Sequence, residues 1–365
     1  MKVLTLFGTR PEIIRLSQVI KKLDGFCEQI LLHTGQNYDP NLSDIFFRDL
    51  GVRQPDVHLG IQATSFAEQV GQILTRVGET LAQVRPDRLL ILGDTNSALG
   101  AIVAARMRIP VYHMEAGNRC YDDRVPEEIN RRLIDHCSDV LMPYTHRSKE
   151  NLLREGIERQ RIFVIGNPIC EVLNAHATQI EASDVLIRLD LAPQRYFLAT
   201  LHRAENVDDP HRLERFLRGL SLVADTYGEP LVVSVHPRTA DKLARYGLDP
   251  QSARVSLLRP LGFFDFVKLE QQAHCVLSDS GTVQEECCIF RVPNVTLRDV
   301  TERAETIECG SNILTGSDPV VILEAVKVAV DSAREWTPPA EYSEKTVSSA
   351  VTKIVLGYHF ERRND

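Results

Sequence analysis

Residues 87–117 read DRLLILGDTNSALGAIVAARMRIPVYHMEAG, and this stretch decides the fold. Two apolar runs, RLLIL and PVYHM, flank residues 97–107, whose apolar spacing is typical of a helix. An acidic residue follows each run within two positions: Asp94 after the first run and Glu115 after the second. A strand, a helix and a second strand in this order predict a parallel β-α-β unit.

The same alternation continues through all 365 residues. Strand candidates in the first series are KVLTLFG, QILLHTG, DRLLILGD, PVYHMEAG, DVLMPY and RIFVIGN, and helices are predicted over 12–23, 64–84 and 97–107. A second series starts near residue 196, with YFLATLH, LVVSVH, VSLLRP, CVLSDSG, NVTLRD and NILTG. We therefore predict an α/β fold of two Rossmann-like domains, each a doubly wound parallel sheet, with a central cleft.

The two series of strands meet near GNPICEVLNAH, residues 166–176. This junction predicts an N-terminal domain over residues 1–170 and a C-terminal domain over residues 171–345. After the break at Pro338 and Pro339, residues 342–360 read as a final helix. We expect residues 346–365 to cross back to the N-terminal domain.

Composition and charge exclude several classes of protein. The net charge is −8 and the basic residues are scattered, which argues against nucleic acid as a partner. No apolar run approaches the ~18–20 residues of a membrane span, and MKVLTLFG lacks a signal-peptide pattern. The eight cysteines form no Cys-x-x-Cys pair and no zinc spacing with histidine. We expect a reduced, cytoplasmic enzyme with no metal site.

Acidic residues follow two neighbouring strand candidates and begin the next helix. Asp94 alone is explained as a helix cap, but Glu115 ends the following strand and Glu127 opens the helix PEEINRRLIDH. Because carboxyl ends of parallel strands share one edge of a sheet, these three carboxylates are expected to converge and transfer protons. Glu128 and Asp122 are expected to be solvated partners of Arg131 and Arg124.

A candidate anion site lies in SDSGTVQEE, residues 278–286. Ser280, Gly281 and Thr282 open a predicted helix, whose backbone N–H groups and dipole favour a phosphate. Glu286, about one and a half turns later, is placed to accept hydrogen bonds from ribose hydroxyls. The alternative is an ordinary serine-capped helix.

Basic side chains also stand at strand ends. FGTRPE has neither the Walker spacing nor Gly-x-Gly-x-x-Gly. It does present Arg10 at a strand end, and Arg15 follows on the next predicted helix, so both guanidinium groups could bind a diphosphate. The alternative is a surface arginine paired with a neighbour. His202 in LATLHRAEN ends a strand and could donate a proton to a departing phosphate or stabilise its charge. The alternative is that His202 caps the next helix. His236 in SVHPR is similar but weaker.

Seven segments in this order resemble the non-hydrolysing UDP-N-acetylglucosamine 2-epimerases: FGTRPEIIR, GDTNS, HMEAGNR, PEEINRR, LHRAEN, SDSGTVQEE and RDVTERAE. The likeness spans essentially the whole chain. It implies a glycosyltransferase-B-like fold, with catalytic carboxylates in the N-terminal domain and UDP bound by the C-terminal one. It also implies a homodimer without a cofactor that interconverts UDP-GlcNAc and UDP-ManNAc for surface polysaccharide synthesis. UDP would be eliminated to leave 2-acetamidoglucal and then added back.

The resemblance also assigns site residues. It implies catalytic roles for Asp94, Glu115, Glu127 and His202. Nucleotide-binding positions are Arg10, Arg15, Ser280, Gly281, Thr282, Glu286 and Arg303, and Phe266 in LGFFDFVKL matches the aromatic position beside the uracil.

Several positions depart from the family pattern. Thr282 replaces a second glycine, Ala304 replaces a proline, and Leu261 stands where many members have a glutamine. The segment GQNYD (35–39) and Gln72 differ from an allosteric UDP-GlcNAc site, so allosteric activation is not expected.

Alternative functions remain open within and outside the class. EAGNRCYDDRVPEE also resembles relatives that epimerise other UDP-2-acetamido sugars, of the 6-deoxy-talose and fucosamine type. A glycosyltransferase, a hydrolysing epimerase and a non-catalytic nucleotide-sugar binder are further alternatives.

Overall fold

The structure, a computed structural model, describes residues 1–35, 40–332 and 334–360, and only the backbone of residues 40–44. It divides into two units: unit 1 is Met1–Ala175 with Ala340–Asp365, and unit 2 is His176–Pro339. The sequence predicts limits at residues 170 and 345.

Unit 1 contains six strands within the described residues: β1 (Lys2–Phe7), β2 (Glu28–His33), β3 (Val57–His58), β4 (Arg88–Leu92), β5 (Val111–Met114) and β6 (Val140–Met142). Its helices before the junction are α1 (Arg10–Asp24), α2 (Pro40–Asp49), α3 (Phe66–Val84), α4 (Gly100–Arg106), α5 (Pro126–Cys137), α6 (His146–Arg154) and α7 (Ile169–Ala175). Short 3₁₀ helices cover Asn96–Leu99 and Arg159–Arg161.

Unit 2 contains six further strands in the described part of the chain: β7 (Phe197–Leu201), β8 (Leu231–Val235), β9 (Val255–Leu258), β10 (Cys275–Ser278), β11 (Asn294–Thr296) and β12 (Asn312–Leu314). Its helices are α8 (Ala177–Glu181), α9 (Val185–Arg188), α10 (Ala204–Val207), α11 (Pro210–Tyr227), α12 (Pro237–Tyr246), α13 (Phe263–Gln272), α14 (Gly281–Phe290), α15 (Ala304–Glu308) and α16 (Pro319–Asp331). The chain then returns to unit 1 with a 3₁₀ turn, Ala340–Ser343, and α17 (Val347–Gly357).

Both sheets are parallel and have the same strand order. Unit 1 runs β3-β2-β1-β4-β5-β6, and unit 2 runs β9-β8-β7-β10-β11-β12. The order reverses between β1 and β4, and between β7 and β10. Ligands of doubly wound sheets bind at such reversal points, outside the carboxyl ends of the strands. The predicted fold of two Rossmann-like parallel sheets is confirmed.

Apolar runs form the strands because helices cover both faces of each sheet. In unit 2, Phe197 and Ala199 are buried against α11 and α16, whereas Tyr196 and Leu198 are buried on the other face against α13 and α14. In unit 1, the whole of β4 is buried. Strands covered on both faces read as nearly continuous apolar runs.

Two predicted elements need correction. RIFVIGN is not a strand: Ile162 forms one isolated bridge to Leu141, and the chain leaves the edge of β6 at Gly166, where φ is +83°. The predicted helix over 342–360 begins only at Val347, because the side chain of Glu344 accepts the backbone N–H groups of the next two residues and holds a turn there. The two-residue strand β3 is absent from the predictions.

Helix α17 packs against α1 in unit 1. Its buried side is formed by Val347, Val351 and Val355, all fully shielded from solvent. Lys22 of α1 donates a hydrogen bond to Ser349. Among the described residues, no helix is both long and apolar enough to cross a membrane.

We expect Val351→Ala to lower the free energy of unfolding by about 2 kcal/mol, because it leaves a cavity in a packed contact. Urea unfolding followed by circular dichroism measures this. The matched control is Val328→Ala, since Val328 on α16 is largely exposed and should change the midpoint little. Equal effects of the two changes would contradict the buried packing of α17.

Candidate active site

Two of the predicted acidic residues lie at the carboxyl ends of β4 and β5. Glu115 is nearly buried and directly follows β5. Its Oε2 lies 2.5 Å from Nη1 of Arg15 and accepts the hydroxyl of Tyr144 at 3.3 Å. Its Oε1 accepts the amide of Asn118 at 3.2 Å. Charge and hydrogen bonds therefore fix both oxygens of this carboxylate.

The backbone around Glu115 has unusual conformations. Glu115 itself has φ +67°, which costs free energy for any residue other than glycine and is a mark of functional turns. Gly117 has φ +81°, and a β-carbon there would lie 2.3 Å from the carbonyl oxygen of Ser148. A β-carbon on Gly93, next to Asp94, would lie 3.7 Å from Oε2 of Glu115. The structure thus brings the Asp94 loop and the Glu115 carboxylate together.

Helix α5 adds the third predicted acid. Arg131 donates Nε–H to Oδ2 of Asp94 at 2.7 Å, and Asn130 donates to the carbonyl oxygen of Asp94 at 3.0 Å. Glu127 lies one turn before these two residues, so all three are on one side of the helix. Glu127 is half-buried in the first turn of α5. That side of α5 is directed toward the Asp94 loop.

The expectation that Glu128 is solvated is wrong. Glu128 is fully buried, because it accepts the backbone N–H groups of Cys120 and Tyr121 and pairs with Arg131 at 2.8 Å. Burial raises the pKa of Glu128, but these hydrogen bonds and the arginine charge outweigh burial and lower it below its usual value.

The second expected surface pair does form. Asp122 contacts the exposed guanidinium of Arg124 at 2.6 Å. Asp122 is therefore a surface partner of Arg124, as predicted.

Glu12 is a buried acid that the sequence analysis missed. It accepts the backbone N–H groups of Gly8 and Thr9 at 2.7 Å each, and Oγ1 of Thr95 donates to it at 2.7 Å. It therefore joins the loops after β1 and β4, on the two sides of the reversal point. Burial raises the pKa of Glu12 to about 7, although these hydrogen bonds lower it. The signal was the Thr-x-x-Glu capping box within GTRPE.

The two predicted arginines of α1 have partners inside unit 1. The guanidinium of Arg10 lies over the ring of Phe46, 5.7 Å from its centroid. Arg15 is only 4% exposed and pairs with Glu115. Its predicted contact with a diphosphate is not tested by these distances, but its immediate role is to hold Glu115.

His202 follows β7 in unit 2 and pairs with a buried aspartate. Its Nδ1 lies 3.0 Å from Oδ1 of Asp279. The other oxygen of this carboxylate, Oδ2, accepts the backbone N–H of Arg203 and the side-chain amide of Asn206. Burial raises the pKa of Asp279, but the charge and hydrogen bond of His202 and the other donors outweigh it and hold that pKa below its usual range. The side chain of His202 is 38% exposed, and Nε2 points away from Asp279.

His236 differs from His202. Its Nδ1 accepts the backbone N–H of Arg238 at 3.2 Å and so caps α12. For His236, the capping role explains the residue.

The SDSG turn forms as predicted between β10 and α14. Ser280 is the N-cap of α14, but within the described residues its side chain makes no capping hydrogen bond, so the ordinary serine cap does not account for it. A β-carbon on Gly281 would lie 2.9 Å from Oε1 of Glu302, which explains the glycine. Thr282 is half-buried in the first turn.

The remaining predicted nucleotide-binding residues of unit 2 are largely buried. Glu286 lies beside the fully buried Glu270. Burial is the main reason that the pKa of Glu270 is well above its usual value, and the negative charge of Glu286 raises this pKa further. Arg303 pairs with the buried Glu285. Phe266 is half-buried in the first turn of α13 and packs against the same apolar cluster as Leu261.

The positions that differ from the allosteric pattern are only partly described. Residues 36–39 of GQNYD lie outside the described residues. Gln72 on α3 donates to the carbonyl oxygen of Gln62 at 3.0 Å and to Glu68 at 3.2 Å. In the part of the chain that the structure describes, no group of three or more histidine, cysteine, aspartate or glutamate side chains could hold a metal ion.

Comparison with known proteins identifies the family. The family model described as "UDP-N-acetylglucosamine 2-epimerase" matches residues 21–356. The chain belongs to this epimerase family.

Individual relatives agree with that assignment. The UDP-N-acetylglucosamine 2-epimerase of Methanocaldococcus jannaschii is 40% identical over 347 residues, 93% of this chain and 95% of the relative. A crystal structure of that enzyme, in complex with UDP-GlcNAc and UDP, has a TM-score of 0.93 and 39% identity, and the match covers 98% and 99% of the two chains. The predicted enzyme class, an epimerase of nucleotide sugars, is confirmed at the level of the family.

Two further proteins show how far the likeness in sequence and fold extends. The UDP-2,3-diacetamido-2,3-dideoxy-D-glucuronate 2-epimerase of Pseudomonas aeruginosa is 38% identical over 334 residues, 90% of this chain and 92% of the relative. The glycosyltransferase WaaG has a TM-score of 0.62 at 12% identity over 98% of this chain and all of WaaG, which is a likeness of fold alone. The predicted glycosyltransferase-B-like architecture of the epimerase is thereby confirmed.

The raised pKa of Glu12 predicts a specific pH dependence of stability. The folded state holds the proton of Glu12 up to about pH 7, whereas the unfolded chain releases it near pH 4.5. This contribution is complete below pH 4.5 and is lost as the pH rises through 7. Relative to Glu12→Gln, the free energy of unfolding of the wild type should fall by about 3 kcal/mol across this range.

Urea unfolding at a series of pH values measures the difference. The matched control is Glu214→Gln, because Glu214 is exposed on α11. A difference between wild type and Glu12→Gln that stays constant from pH 4.5 to 7.5 would contradict the burial of Glu12 as a protonated acid.

Proposed function

We propose that this epimerase interconverts UDP-GlcNAc and UDP-ManNAc at C2, and so supplies precursors of surface polysaccharides. The observation that carries the proposal is the approach of the Glu115 carboxylate to the Asp94 loop at the carboxyl ends of β4 and β5. Inversion at C2 removes a proton from one face of the sugar and returns a proton on the other. In this proposal Asp94 and Glu115, which follow the adjacent strands β4 and β5, supply the two groups that this requires.

The chemistry favours elimination over direct proton removal. C2 of the sugar is not next to a carbonyl group, so a carbanion there has no stabilisation. When a carboxylate takes the C2 proton, the C–H electron pair forms the C1=C2 double bond of 2-acetamidoglucal. The C1–O bond breaks and its electron pair leaves with UDP. In the reverse step UDP oxygen bonds to C1, and C2 takes a proton on the opposite face.

We assign the proton-transfer steps to unit 1. The proposed groups are Asp94, Glu115 and Glu127. Glu115 is held by Arg15 at 2.5 Å, and Asp94 is held by Arg131 at 2.7 Å. Reacting groups held in this way lose little orientation entropy when the substrate binds.

We assign the leaving group to residues of unit 2. His202 is proposed to stabilise or protonate the departing diphosphate through Nε2, because Asp279 holds Nδ1. The first turn of α14 offers N–H groups to phosphate oxygens. The proposed nucleotide-binding residues of unit 2 are Phe266, Ser280, Gly281, Thr282, Glu286 and Arg303, and those of unit 1 are Arg10 and Arg15.

Incubation with UDP-GlcNAc in deuterated water tests the reaction. Elimination and re-addition should place deuterium at C2 and leave UDP attached to the sugar. Mass spectrometry and proton NMR measure both. Release of free N-acetylmannosamine would instead indicate a hydrolysing epimerase, and substrate recovered without deuterium would reject UDP-GlcNAc as the substrate.

The His202→Ala variant tests the role of this residue. We expect kcat to fall about 100-fold or more, because a positioned proton donor contributes ~10²–10⁴-fold. Circular dichroism should stay unchanged, since the side chain is partly exposed. The control is His211→Ala, at an exposed position of α11. Activity of His202→Ala near that of the control would remove His202 from the mechanism.

A second candidate differs only in the sugar. The relative from Pseudomonas aeruginosa, which is 38% identical, is named for a diacetamido glucuronate in place of GlcNAc. A panel of UDP-2-acetamido sugars, including 6-deoxy and uronic acid forms, assayed for deuterium uptake at C2, separates the candidates by kcat/KM. The larger kcat/KM identifies the substrate.

A further inference from the structure

A buried histidine connects the two loops that carry the acids. His113 lies in β5, two residues before Glu115, and is 1% exposed. Its Nδ1 is 2.9 Å from Oδ1 of Asp135, and its Nε2 is 2.9 Å from the carbonyl oxygen of Gly93. Asp135, on α5, also accepts the backbone N–H of Gly117 at 3.1 Å. The His113–Asp135 pair thus touches both the Gly93 loop and the turn after Glu115.

Both ring nitrogens of His113 face acceptors. The carbonyl oxygen of Gly93 carries no proton, so Nε2 must donate one. Asp135 already receives an N–H from Gly117 and lies 2.8 Å from Nη2 of Arg119, as expected for a charged carboxylate. Nδ1 must then donate as well. A neutral imidazole has one N–H and cannot satisfy both contacts, whereas an imidazolium satisfies both.

The balance of charge around His113 leads to the same state. Arg119 forms a double hydrogen bond with Glu155, at 2.8 and 2.6 Å, in addition to its contact with Asp135. Two carboxylates thus share one guanidinium, and the side chains of Asp135 and Arg119 are fully buried. A buried charge without compensation costs several kcal/mol. Glu155 is partly exposed and also lies 3.8 Å from Nε2 of His136, so the fully buried Asp135 is the carboxylate that a positive charge on His113 compensates.

The state of Asp135 agrees with this arrangement. Burial raises the pKa of Asp135, but the hydrogen bond and charge of His113, together with Arg119, outweigh burial and lower that pKa below its usual value. Asp135 is therefore the negatively charged partner of this contact.

We infer that His113 is a positively charged positioning residue, which with Asp135 fixes the Gly93–Asp94 peptide and the Glu115 turn relative to each other. The inference rests on the proposed function only in that Asp94 and Glu115 are the reacting groups. His113 itself is buried and acts through these two loops. Its loss should misplace the carboxylates and lower kcat without weakening UDP binding.

The first test reads the protonation state directly. In protein labelled with ¹⁵N-histidine, the His113 ring should show two slowly exchanging N–H protons at pH 7.5. The eleven histidines are distinguished by loss of the His113 signals in His113→Gln. Asp135→Asn removes the counter-charge and should leave one ring proton. A single ring proton in the wild type would overturn the inference, and this result does not depend on enzymatic activity.

The second test separates the two contacts of the ring. His113→Gln keeps an N–H directed at Gly93, His113→Asn keeps an N–H directed at Asp135, and His113→Leu keeps neither. We expect kcat to fall about 100-fold for the leucine variant, since a misplacement of about 1 Å costs that much. The glutamine variant should recover part of this loss. The Kd of UDP, from calorimetry, should stay within about threefold of wild type.

The control is His211→Asn, because His211 is exposed on α11 in the other unit. A leucine variant with wild-type kcat would overturn the inference. So would three variants that lose kcat and UDP affinity to the same extent, because that pattern indicates general loss of structure. Absence of epimerisation by the wild type would reject the proposed function, while the NMR result would still decide the charge of His113.

Discussion

The parallel pairing of all strands is the constraint on which the rest of the epimerase depends. Parallel pairing brings the carboxyl ends of the strands to one edge of the sheet. Because helices cover both faces of the sheet, polar side chains of different strands meet mainly at this edge. Asp94 and Glu115 follow adjacent strands of unit 1 for this reason, since β4 pairs with β5. The same rule in unit 2 puts His202 after β7 and Asp279 after the adjacent β10. Chemistry that needs several groups at one point is therefore provided by short strands far apart in sequence.

Polar groups at or near these strand ends are held by buried polar partners. Arg15 fixes Glu115, Asp279 fixes His202, and Asp135 lies between Arg119 and His113. A buried ion pair adds little to stability once desolvation is counted, but each partner loses its freedom to rotate. Stability of the fold comes from the apolar faces of the sheets, whereas these pairs contribute geometry. That division explains why so many charged residues in this epimerase lie below the surface.

Local patterns predicted the strands well but not the partners of polar side chains. Runs such as RLLIL are buried on both faces, so composition alone identifies them. RIFVIGN has the same composition but lies beside the edge of β6 with one bridge, which composition does not distinguish. Arg15 pairs with Glu115, 100 residues away, and no local pattern around either residue predicts this contact. The capping box of Glu12 was readable from Thr9, but its bond to Thr95 depends on the order of the strands.

The two units use one topology for opposite chemistry. Asp94 follows the fourth strand of unit 1, and Ser280 follows the fourth strand of unit 2, at the same point of strand-order reversal. In unit 1 the next element is a short 3₁₀ turn, and the carboxylate is held by Arg131 of α5. In unit 2 the next element is α14, a ten-residue helix that begins with a glycine and presents backbone N–H groups. The difference between the proposed acidic site and the proposed anion site thus depends on the few residues after the strand, because the strand order is the same in both units.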